Sequence, residues 1–328
     1  MYVVTGGAGF IGSALIWELN RQGYENVIIV DNLDSSEKWR NLVPLRYADY
    51  LSRETFIDMI RNGAATPWNV AAVIHLGACS DTAEPDSGFL VANNFHFSRD
   101  LCQWAVCTGA RYIQASSAAT YGDGSRGFVD NEDALTTLRP LNMYAYSKQM
   151  FDVWAQDQRL SPRFATLKFF NVYGPNEYHK EDMRSVVNKA HAQILATGRL
   201  RLFRSTHPDY PDGGQMRDFV YVKDVVKVMS WFLSHPEVNG VFNVGTGRAR
   251  TFNDLARAVF TAMDRPVDIE YVDMPDALRG KYQNYTCAVM DKLLATGCPG
   301  CSTSLEDGVA DYVQNYLNTH AYLDGATR

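Results

Sequence analysis

The chain has 328 residues, a formal net charge of −6 and a hydrophobic content of 46%. This length and composition predict a globular protein with a substantial core, built as one large domain or a large domain with a smaller appendage. No basic run indicates nucleic-acid binding, and no apolar run of about 18 residues predicts a membrane span. Six cysteines are few for this length and favour a reducing, cytoplasmic setting. The chain opens on a predicted strand, so we expect no signal peptide.

A glycine-rich turn, residues 5–12, lies between the first predicted strand and a helix predicted over residues 10–21. Gly6 and Gly9 permit a tight turn against a pyrophosphate, and Gly12 lets the helix pack on the strand. The helix N-terminus would then face the phosphate charge with free N–H groups. A turn without a ligand is the alternative, but the flanking strand and helix favour a dinucleotide site.

The second predicted strand, residues 27–30, ends at Asp31. A carboxylate there favours NAD, because it binds the adenine ribose and repels a 2′-phosphate. Lys38 and Arg53 follow within reach, and Asn32 could donate a hydrogen bond to a phosphate. Both lysine and arginine could equally be solvated surface charges, so these residues leave NAD and NADP open.

Strand patterns at residues 46–49, 70–78 and 110–115 alternate with helical ones, including a long helix at residues 89–106. This alternation predicts an α/β fold with a Rossmann-type, doubly wound parallel sheet, whose ligands gather at the carboxyl ends of the strands. The residues that we expect beside the cofactor at these strand ends and on the following helix are Leu76, Gly77, Ala78, Cys79, Ser80 and Asn93.

Tyr144 and Lys148 are four residues apart in a predicted helix and therefore share one helix face. A phenol is a poor base at pH 7, but a nearby ammonium and the positive charge of a nicotinamide lower its pKa. Tyr144 could then take a proton from a substrate alcohol, with Ser117 hydrogen-bonded to the same oxygen. A solvent-exposed pair is the alternative, and the dinucleotide turn earlier in the chain disfavours it.

Together these motifs resemble the extended short-chain dehydrogenase/reductase family, whose epimerases and dehydratases oxidise a sugar carbinol with tightly held NAD or NADP. The stretches that carry the resemblance are residues 5–12, 116–122, 144–148, 169–175, 217–225 and 242–245. The later stretches resemble the part of the family that handles nucleotide sugars. We therefore expect a small-molecule nucleotide-sugar substrate.

A closer resemblance is to a subgroup that inverts carbon six of an ADP-linked heptose for lipopolysaccharide synthesis. The stretches that carry it are residues 30–33 with Lys38, 48–50, 75–80, 93–94, 115–122, 144–148, 178–180 and 279–283. The resemblance implies NADP, with Asn32, Lys38 and Arg53 near the 2′-phosphate. It also adds Phe10, Ile11, Val172, Lys148 and Lys180 to the cofactor site.

The same resemblance implies Tyr144 and Lys180 as two acid/base groups on opposite faces of the sugar carbon, although Lys180 could also be an exposed loop lysine. Lys148 would hold the cofactor ribose and tune Tyr144. The substrate contacts that the resemblance implies are Ser117, Asn171, Asp182, Lys189, Phe203, Arg217 and Tyr282. Arg217 suits a diphosphate because a guanidinium donates two parallel hydrogen bonds.

The chain departs from the subgroup in two places. Residues 204–216 form a longer segment than expected, and Asp182 and Lys189 stand where a serine and a histidine are expected. A nucleotide-sugar 4-epimerase or dehydratase that uses NAD is therefore an alternative, and a non-enzymatic nucleotide-binding module is another. Alanines follow Ser117 where a dehydratase is expected to carry an Asp-Glu pair, and the retained tyrosine and lysine disfavour a binding module.

We expect a cofactor-binding Rossmann domain at residues 1–170, with returning segments at about 215–250, and a smaller interleaved α/β substrate-binding domain at residues 171–328. No linker composition separates them. Cys298 and Cys301 form a C-x-x-C without a second pair, so we predict neither a metal site nor a redox site. The resemblance also implies a homo-oligomer, with a pentamer as one form.

Overall fold

A computed structural model describes residues 1–65, 68–275 and 282–324 of the chain. Its twelve described strands are β1 Tyr2–Thr5, β2 Val27–Val30, β3 Asp49–Leu51, β4 Ala72–His75, β5 Arg111–Ser117, β6 Ala165–Phe169, β7 Asn171–Tyr173, β8 Leu200–Phe203, β9 Met216–Tyr221, β10 Gly240–Val244, β11 Ala249–Thr251 and β12 Ile269–Val272. The helices in the same part of the chain are α1 Phe10–Arg21, α2 Arg53–Arg61, α3 Ser87–Leu90, α4 Phe97–Thr108, α5 Met143–Asp157, α6 Val186–Thr197, α7 Val222–Ser234, α8 Phe252–Ala262, α9 Asp291–Ala295 and α10 Leu305–Tyr312.

Seven strands form one sheet in the order β3-β2-β1-β4-β5-β6-β10. All neighbouring pairs in this sheet are parallel. The order reverses between β1 and β4, which is the position where open α/β sheets bind their ligands. The Rossmann-type, doubly wound fold predicted from the sequence is confirmed.

Helices cover both faces of this sheet and thereby bury its strands on both sides. Val3 and Val4 on β1 show the division, since they belong to two different clusters of buried side chains. One cluster includes side chains of α1 and α7, which pack against each other. The other includes side chains of α2, α4 and α5. Of the described residues, no helix is long and apolar enough to cross a membrane.

Two smaller sheets lie after β6 in the chain. One has the order β11-β9-β7, and the other pairs β12 with β8. Helix α8 packs against α6 and α10 beside these sheets. Segments α7 and β10 return to the large sheet, so this part of the chain is interleaved with the Rossmann core.

Local predictions differ from the structure in three strands and two helices. The fifth strand, predicted at residues 110–115, is found at Arg111–Ser117. The third strand is Asp49–Leu51 and not residues 46–49, because the side chain of Asn20 binds both backbone groups of Arg46 and holds it out of the sheet. The fourth strand shortens to Ala72–His75. The helix predicted over residues 89–106 begins earlier and contains a π-helical turn at Val91–His96.

The sequence also predicts a helix over residues 183–196, and the structure starts it three residues later, as α6 at Val186. A 3₁₀ segment occupies Tyr178–Met183, and the side chain of Ser185 caps the helix by accepting a hydrogen bond from the backbone of Asn188. Residues 178–185 therefore form a separate segment between β7 and α6.

Candidate functional site

A cleft of about 680 Å³ opens at the carboxyl ends of the central strands. Most of the residues predicted for the site line it. They are Gly6, Gly9, Phe10, Ile11, Gly12, Asp31, Lys38, Leu76, Gly77, Ala78, Cys79, Ser80, Ser117, Tyr144, Lys148, Asn171, Val172 and Lys180. The cleft therefore brings the predicted cofactor and catalytic residues into one space.

The turns after β1 and β4 touch through their backbones. Gly6 has a φ of +67°, and a Cβ on it would lie 2.7 Å from the nitrogen of Gly77. A Cβ on Gly12 would lie 2.1 Å from the carbonyl oxygen of Gly6, so a side chain there would prevent the approach of α1. These turns form a backbone cradle beside the N-terminus of α1, which fits the pyrophosphate of a dinucleotide.

Asp31 is already hydrogen-bonded at both carboxylate oxygens. Lys38 Nζ lies 2.9 Å from its Oδ1 in an ion pair, and the backbone nitrogen of Asn32 donates to the same oxygen at 2.8 Å. The backbone nitrogen of Ala8, in the glycine turn, donates to Oδ2 at 2.9 Å. The negative charge at the end of β2 is therefore balanced by a lysine that also lines the cleft.

Three further residues predicted for the cofactor bind one another beside the cleft. The side-chain oxygen of Asn32 accepts a hydrogen bond from the backbone nitrogen of Arg53 at 3.0 Å, and the guanidinium of Arg53 donates to Asn93. Arg53 also forms an ion pair with Glu54 at 2.7 Å. None of the three lines the described cleft.

Asn94 has a structural role that the sequence analysis did not assign. Its side chain accepts a hydrogen bond from the backbone nitrogen of Cys79 and donates to the carbonyl oxygen of the same residue, both at 2.9 Å. The amide also donates to Ser147 on α5 at 2.9 Å. Asn94 therefore fixes the turn after β4 to the helix that carries Tyr144, and its position inside the π-helical turn was not readable from periodicity.

Helix α5 begins with Asn142 as its cap and brings Tyr144 to Ser117 at the end of β5. Burial raises the pKa of Tyr144, and a hydrogen bond with Ser117 opposes this rise. Nζ of Lys148 donates to the carbonyl oxygen of Ala115 at 3.0 Å. Burial lowers the pKa of Lys148 to about 8, opposed by the nearby carboxylate of Asp152. In the protein alone burial determines the pKa of Tyr144, so its predicted lowering stays a prediction for the cofactor-bound state.

Lys180 lies in the cleft, with its Nζ 5.6 Å from the ring centroid of Phe10. Burial lowers the pKa of Lys180, and Glu177 opposes this shift. The next residue, Glu181, has a φ of +46°, which is an unfavourable conformation for a side chain with a Cβ. Backbone strain of this kind concentrates at functional sites.

His179 is a cleft residue that entered the sequence analysis only as part of the 178–180 stretch, without a role of its own. Burial, together with the positive charges of Lys38 and Lys180, lowers the pKa of His179 to about 4. The imidazole is therefore neutral at pH 7. It lies between the lysine beside Asp31 and the lysine predicted for catalysis, a proximity that only the folded chain reveals.

Arg217 is buried beside the cleft with two aromatic rings. Its guanidinium lies 4.8 Å from the ring centroid of Tyr282 and 5.5 Å from that of Phe252, which lines the cleft. Phe203 completes this cluster through a ring contact with Tyr282. Burial lowers the pKa of Arg217. Arg217, Phe203 and Tyr282 thus adjoin the cleft. The two basic residues of the 279–283 motif, Arg279 and Lys281, lie outside the described residues.

Asp182 and Lys189 do not line the described cleft. Both are exposed, and Nζ of Lys189 donates to the carbonyl oxygen of Asp182 at 3.2 Å. Arg184, which the sequence analysis did not consider, lines the cleft instead. Its guanidinium donates to the carbonyl oxygen of Glu181 at 2.7 Å and to Asn188 at 3.3 Å. Within the described residues no carboxylate pairs with it.

The longer segment, residues 204–216, folds back on itself beside this cluster. Asp212 accepts a hydrogen bond from the backbone nitrogen of Ser205 at 2.8 Å, and its own carbonyl oxygen accepts one from Asn253 on α8 at 2.9 Å. Gly213 closes the segment by donating to the carbonyl oxygen of Phe203. The extra residues are thus anchored to the end of β8 and to the first turn of α8.

The cysteines and histidines form no alternative centre in the described part of the chain. All six cysteines are free, including Cys298 and Cys301. No group of three or more candidate metal ligands occurs in the residues that the structure describes.

Residues 2–245 match the NAD dependent epimerase/dehydratase family. The chain belongs to this family. An ADP-L-glycero-D-manno-heptose-6-epimerase of Nitratidesulfovibrio vulgaris strain DP4 is 63% identical over 317 residues, covering 97% of this chain and 98% of the relative. The family relationship confirms the resemblance seen in the sequence motifs.

Solved structures of epimerases share the fold of this family member. The crystal structure of Helicobacter pylori ADP-L-glycero-D-manno-heptose-6-epimerase has a TM-score of 0.82 and 26% identity, and the match covers 98% of this chain and 96% of that chain. Thermus thermophilus UDP-glucose 4-epimerase, solved in complex with NAD, has a TM-score of 0.74 and 25% identity, with coverage of 95% and 97%. Both chains match almost end to end.

Proposed function

We propose that the protein is an epimerase that interconverts ADP-D-glycero-D-manno-heptose and ADP-L-glycero-D-manno-heptose by transient oxidation at carbon six with bound NADP. The observation that carries this proposal is the presence of Lys180 in the same cleft as Tyr144, Ser117 and Lys148. Inversion of a carbinol through a ketone requires hydride to return to the opposite face. Two acid/base groups in one cleft suit such a reaction.

NADP fits the residues at its proposed site. The backbone cradle of Gly6, Gly12 and Gly77 would hold the pyrophosphate, and Lys38 would meet the 2′-phosphate. The ion pair of Lys38 with Asp31 supports NADP, because it removes the repulsion that an unpaired carboxylate would exert on a phosphate. When bound, the nicotinamide accepts and returns the hydride.

Within the cleft, Tyr144 would remove the proton from the sugar hydroxyl, and Ser117 would hydrogen-bond the same oxygen. Lys148 would bind the cofactor ribose and stabilise the phenolate through its positive charge. Lys180 would exchange the proton when the ketone is reduced from the other face. Burial favours this role, since it lowers the pKa of Lys180 towards the range of a useful acid/base group.

On the substrate side, Asn171 and the Arg217 cluster with Phe203 and Tyr282 would hold the nucleotide sugar. We also assign Arg184 to its diphosphate, because this guanidinium lines the cleft and has no carboxylate partner in the described chain. Asp182 and Lys189 are exposed, and Nζ of Lys189 donates to the backbone carbonyl oxygen of Asp182. We therefore propose that Arg184 takes the role that the resemblance assigned to those two residues.

The proposed binding of cofactor and substrate is divided between the two predicted domains. Residues 1–170, with returning segments at about 215–250, would bind the cofactor, and the rest of residues 171–328 would bind the substrate. We also propose a cytoplasmic homo-oligomer, on the basis of the sequence resemblance. Sedimentation of the purified protein would test the oligomer, with a pentamer as the expected form.

The decisive experiment denatures the purified protein, identifies the released nucleotide, and incubates fresh enzyme with ADP-D-glycero-D-manno-heptose without added cofactor. Released NADP and a mixture of the two carbon-six epimers are the expected result. Parallel incubation with UDP-glucose tests the alternative 4-epimerase. Released NAD with turnover of UDP-glucose alone would overturn the proposal.

A further inference from the structure

The end of β5 is joined to one stripe of α5 at three successive positions. Each contact falls four residues after the one before it on the helix. The pairs are Ser117 with Tyr144, Ala115 with Lys148, and Ser116 with Asp152. The first two pairs belong to the proposed catalytic set, whereas no role has been given to the third.

Asp152 is a fully buried carboxylate in an ion pair. Its Oδ2 lies 2.5 Å from Nζ of Lys168 on β6, and both side chains have 0% exposure. The same oxygen accepts a hydrogen bond from Ser116 at 2.9 Å, while Oδ1 has no hydrogen-bond partner. Lys168 is held by Thr120 at 2.8 Å and lies 5.4 Å from the ring centroid of Tyr121.

A buried ion pair of this kind is weak support for stability, because desolvation of both charges offsets their attraction. Its position suggests a different use. Asp152 lies one helical turn after Lys148, and its charge raises the pKa of that lysine against the effect of burial. Three other titratable groups lie around Lys148 in the described chain. The imidazole of His75 on β4 is neutral because its pKa is well below the usual value, burial raises the pKa of the Tyr144 phenol, and the Lys168 ammonium is paired with Asp152.

We infer that Asp152 is a positioning residue for Lys148, one turn away on the same stripe of α5, and that Lys168 and Ser116 hold the Asp152 carboxylate in place for this purpose. The inference rests on the proposed function, since Lys148 is there assigned to the cofactor ribose and to Tyr144. It adds an electrostatic partner that touches neither the cofactor nor the sugar.

The test is the pH dependence of a paired substitution, Asp152→Asn with Lys168→Met. The single Asp152→Asn variant leaves a buried cation unpaired and is expected to unfold more easily, whereas the double variant buries no unpaired charge. Two quantities are measured from pH 6 to 10: kcat, and the affinity for NADP by fluorescence titration. In the wild-type protein both should decline as pH rises through about 8, where Lys148 loses its proton.

In the double variant we expect both midpoints to move down by about one pH unit, because Lys148 has lost the anion that favours its charged form. A double variant that folds and keeps the wild-type midpoints would overturn the inference. If it does not fold, the single Asp152→Asn variant should show a downward shift at least as large, since it lacks the carboxylate and keeps the Lys168 cation. Removal of the remote Lys223–Asp311 pair by Lys223→Met with Asp311→Asn is the matched control and should leave both midpoints unchanged.

The two readouts separate this inference from the proposed function. If the wild-type enzyme does not epimerise the heptose, the pH dependence of kcat cannot be measured and the proposed function is contradicted. The NADP titration needs no sugar and would still show whether Asp152 controls the charge of Lys148.

Discussion

The proposed cofactor end and the proposed substrate end of the cleft are built by different means. At the cofactor end, backbone turns at Gly6 and Gly77 touch and leave no room for side chains. At the substrate end, side chains on the segment 178–185 and around Arg217 form the wall. A backbone cradle depends on residue size and spacing and can therefore be predicted from a sequence. A wall of long side chains depends on where each one points.

The largest effect should come from the junction of the two ends. Tyr144→Phe removes the proposed proton acceptor and keeps the ring, so turnover of the heptose should fall by about 10²–10⁴-fold. NADP affinity should stay within about twofold, because the phenol does not hold the cofactor. Steady-state kinetics and a cofactor titration measure the two quantities. Retained epimerisation would contradict the catalytic role.

At the cofactor end, Lys38→Met should weaken NADP binding by about 10- to 100-fold through loss of a charge-assisted contact and exposure of the Asp31 charge. NAD binding should change much less, because NAD carries no 2′-phosphate. Titration of the variant with both nucleotides tests this. Equal losses for the two would show that Lys38 does not meet the 2′-phosphate.

At the substrate end, two cations that lie close in sequence should differ. Arg184→Ala should raise the KM for the nucleotide sugar about tenfold with little change in kcat, because a cleft guanidinium is lost. Lys189→Ala, a matched loss of an exposed cation, should change KM less than about twofold. The reverse order of effects would restore the assignment made from the sequence resemblance.

The smallest effect concerns His179 and the stability of the wall between the two ends. Its pKa in the folded protein is about 4, below its ordinary value of 6.5, so the unfolded chain binds this proton first as pH falls. The native state therefore loses stability as pH falls from about 6.5 towards 4, by roughly 1–2 kcal/mol at pH 5. Urea unfolding at pH 7.5 and 5 should show a smaller loss for His179→Gln than for the wild type. Equal losses would mean that His179 titrates normally.

Predictability follows the same division between backbone and side chains. Helix α1 and strand β2 were predicted to the residue, because a glycine turn, an apolar strand and an acid at its end each impose a local pattern. The third strand was misplaced because a side chain of α1, Asn20, holds Arg46 out of the sheet. That contact spans 26 residues and has no local pattern.

The candidate site shows the same limit. Residue types and spacing predicted Tyr144 and Lys148, and the family resemblance added Lys180; the fold brings all three to one cleft. The place of Arg184 in the cleft, from which Asp182 and Lys189 are absent, could not be predicted because it depends on the 3₁₀ segment, the strained backbone at Glu181 and the start of α6 at Val186. The structural role of Asn94 was not predicted for a similar reason, since a π-helical turn has no regular apolar period.

The contact between Gly6 and Gly77 joins two parts of the chain that are far apart in sequence. A methyl group at position 6 would collide with the backbone of position 77, and one at position 77 would meet Thr5 and Gly6 at 3.1–3.2 Å. A substitution that adds a side chain at either turn therefore disturbs the backbone of both turns. The 204–216 segment is anchored elsewhere, to β8 and α8, whereas the residues allowed at these two turns depend on each other.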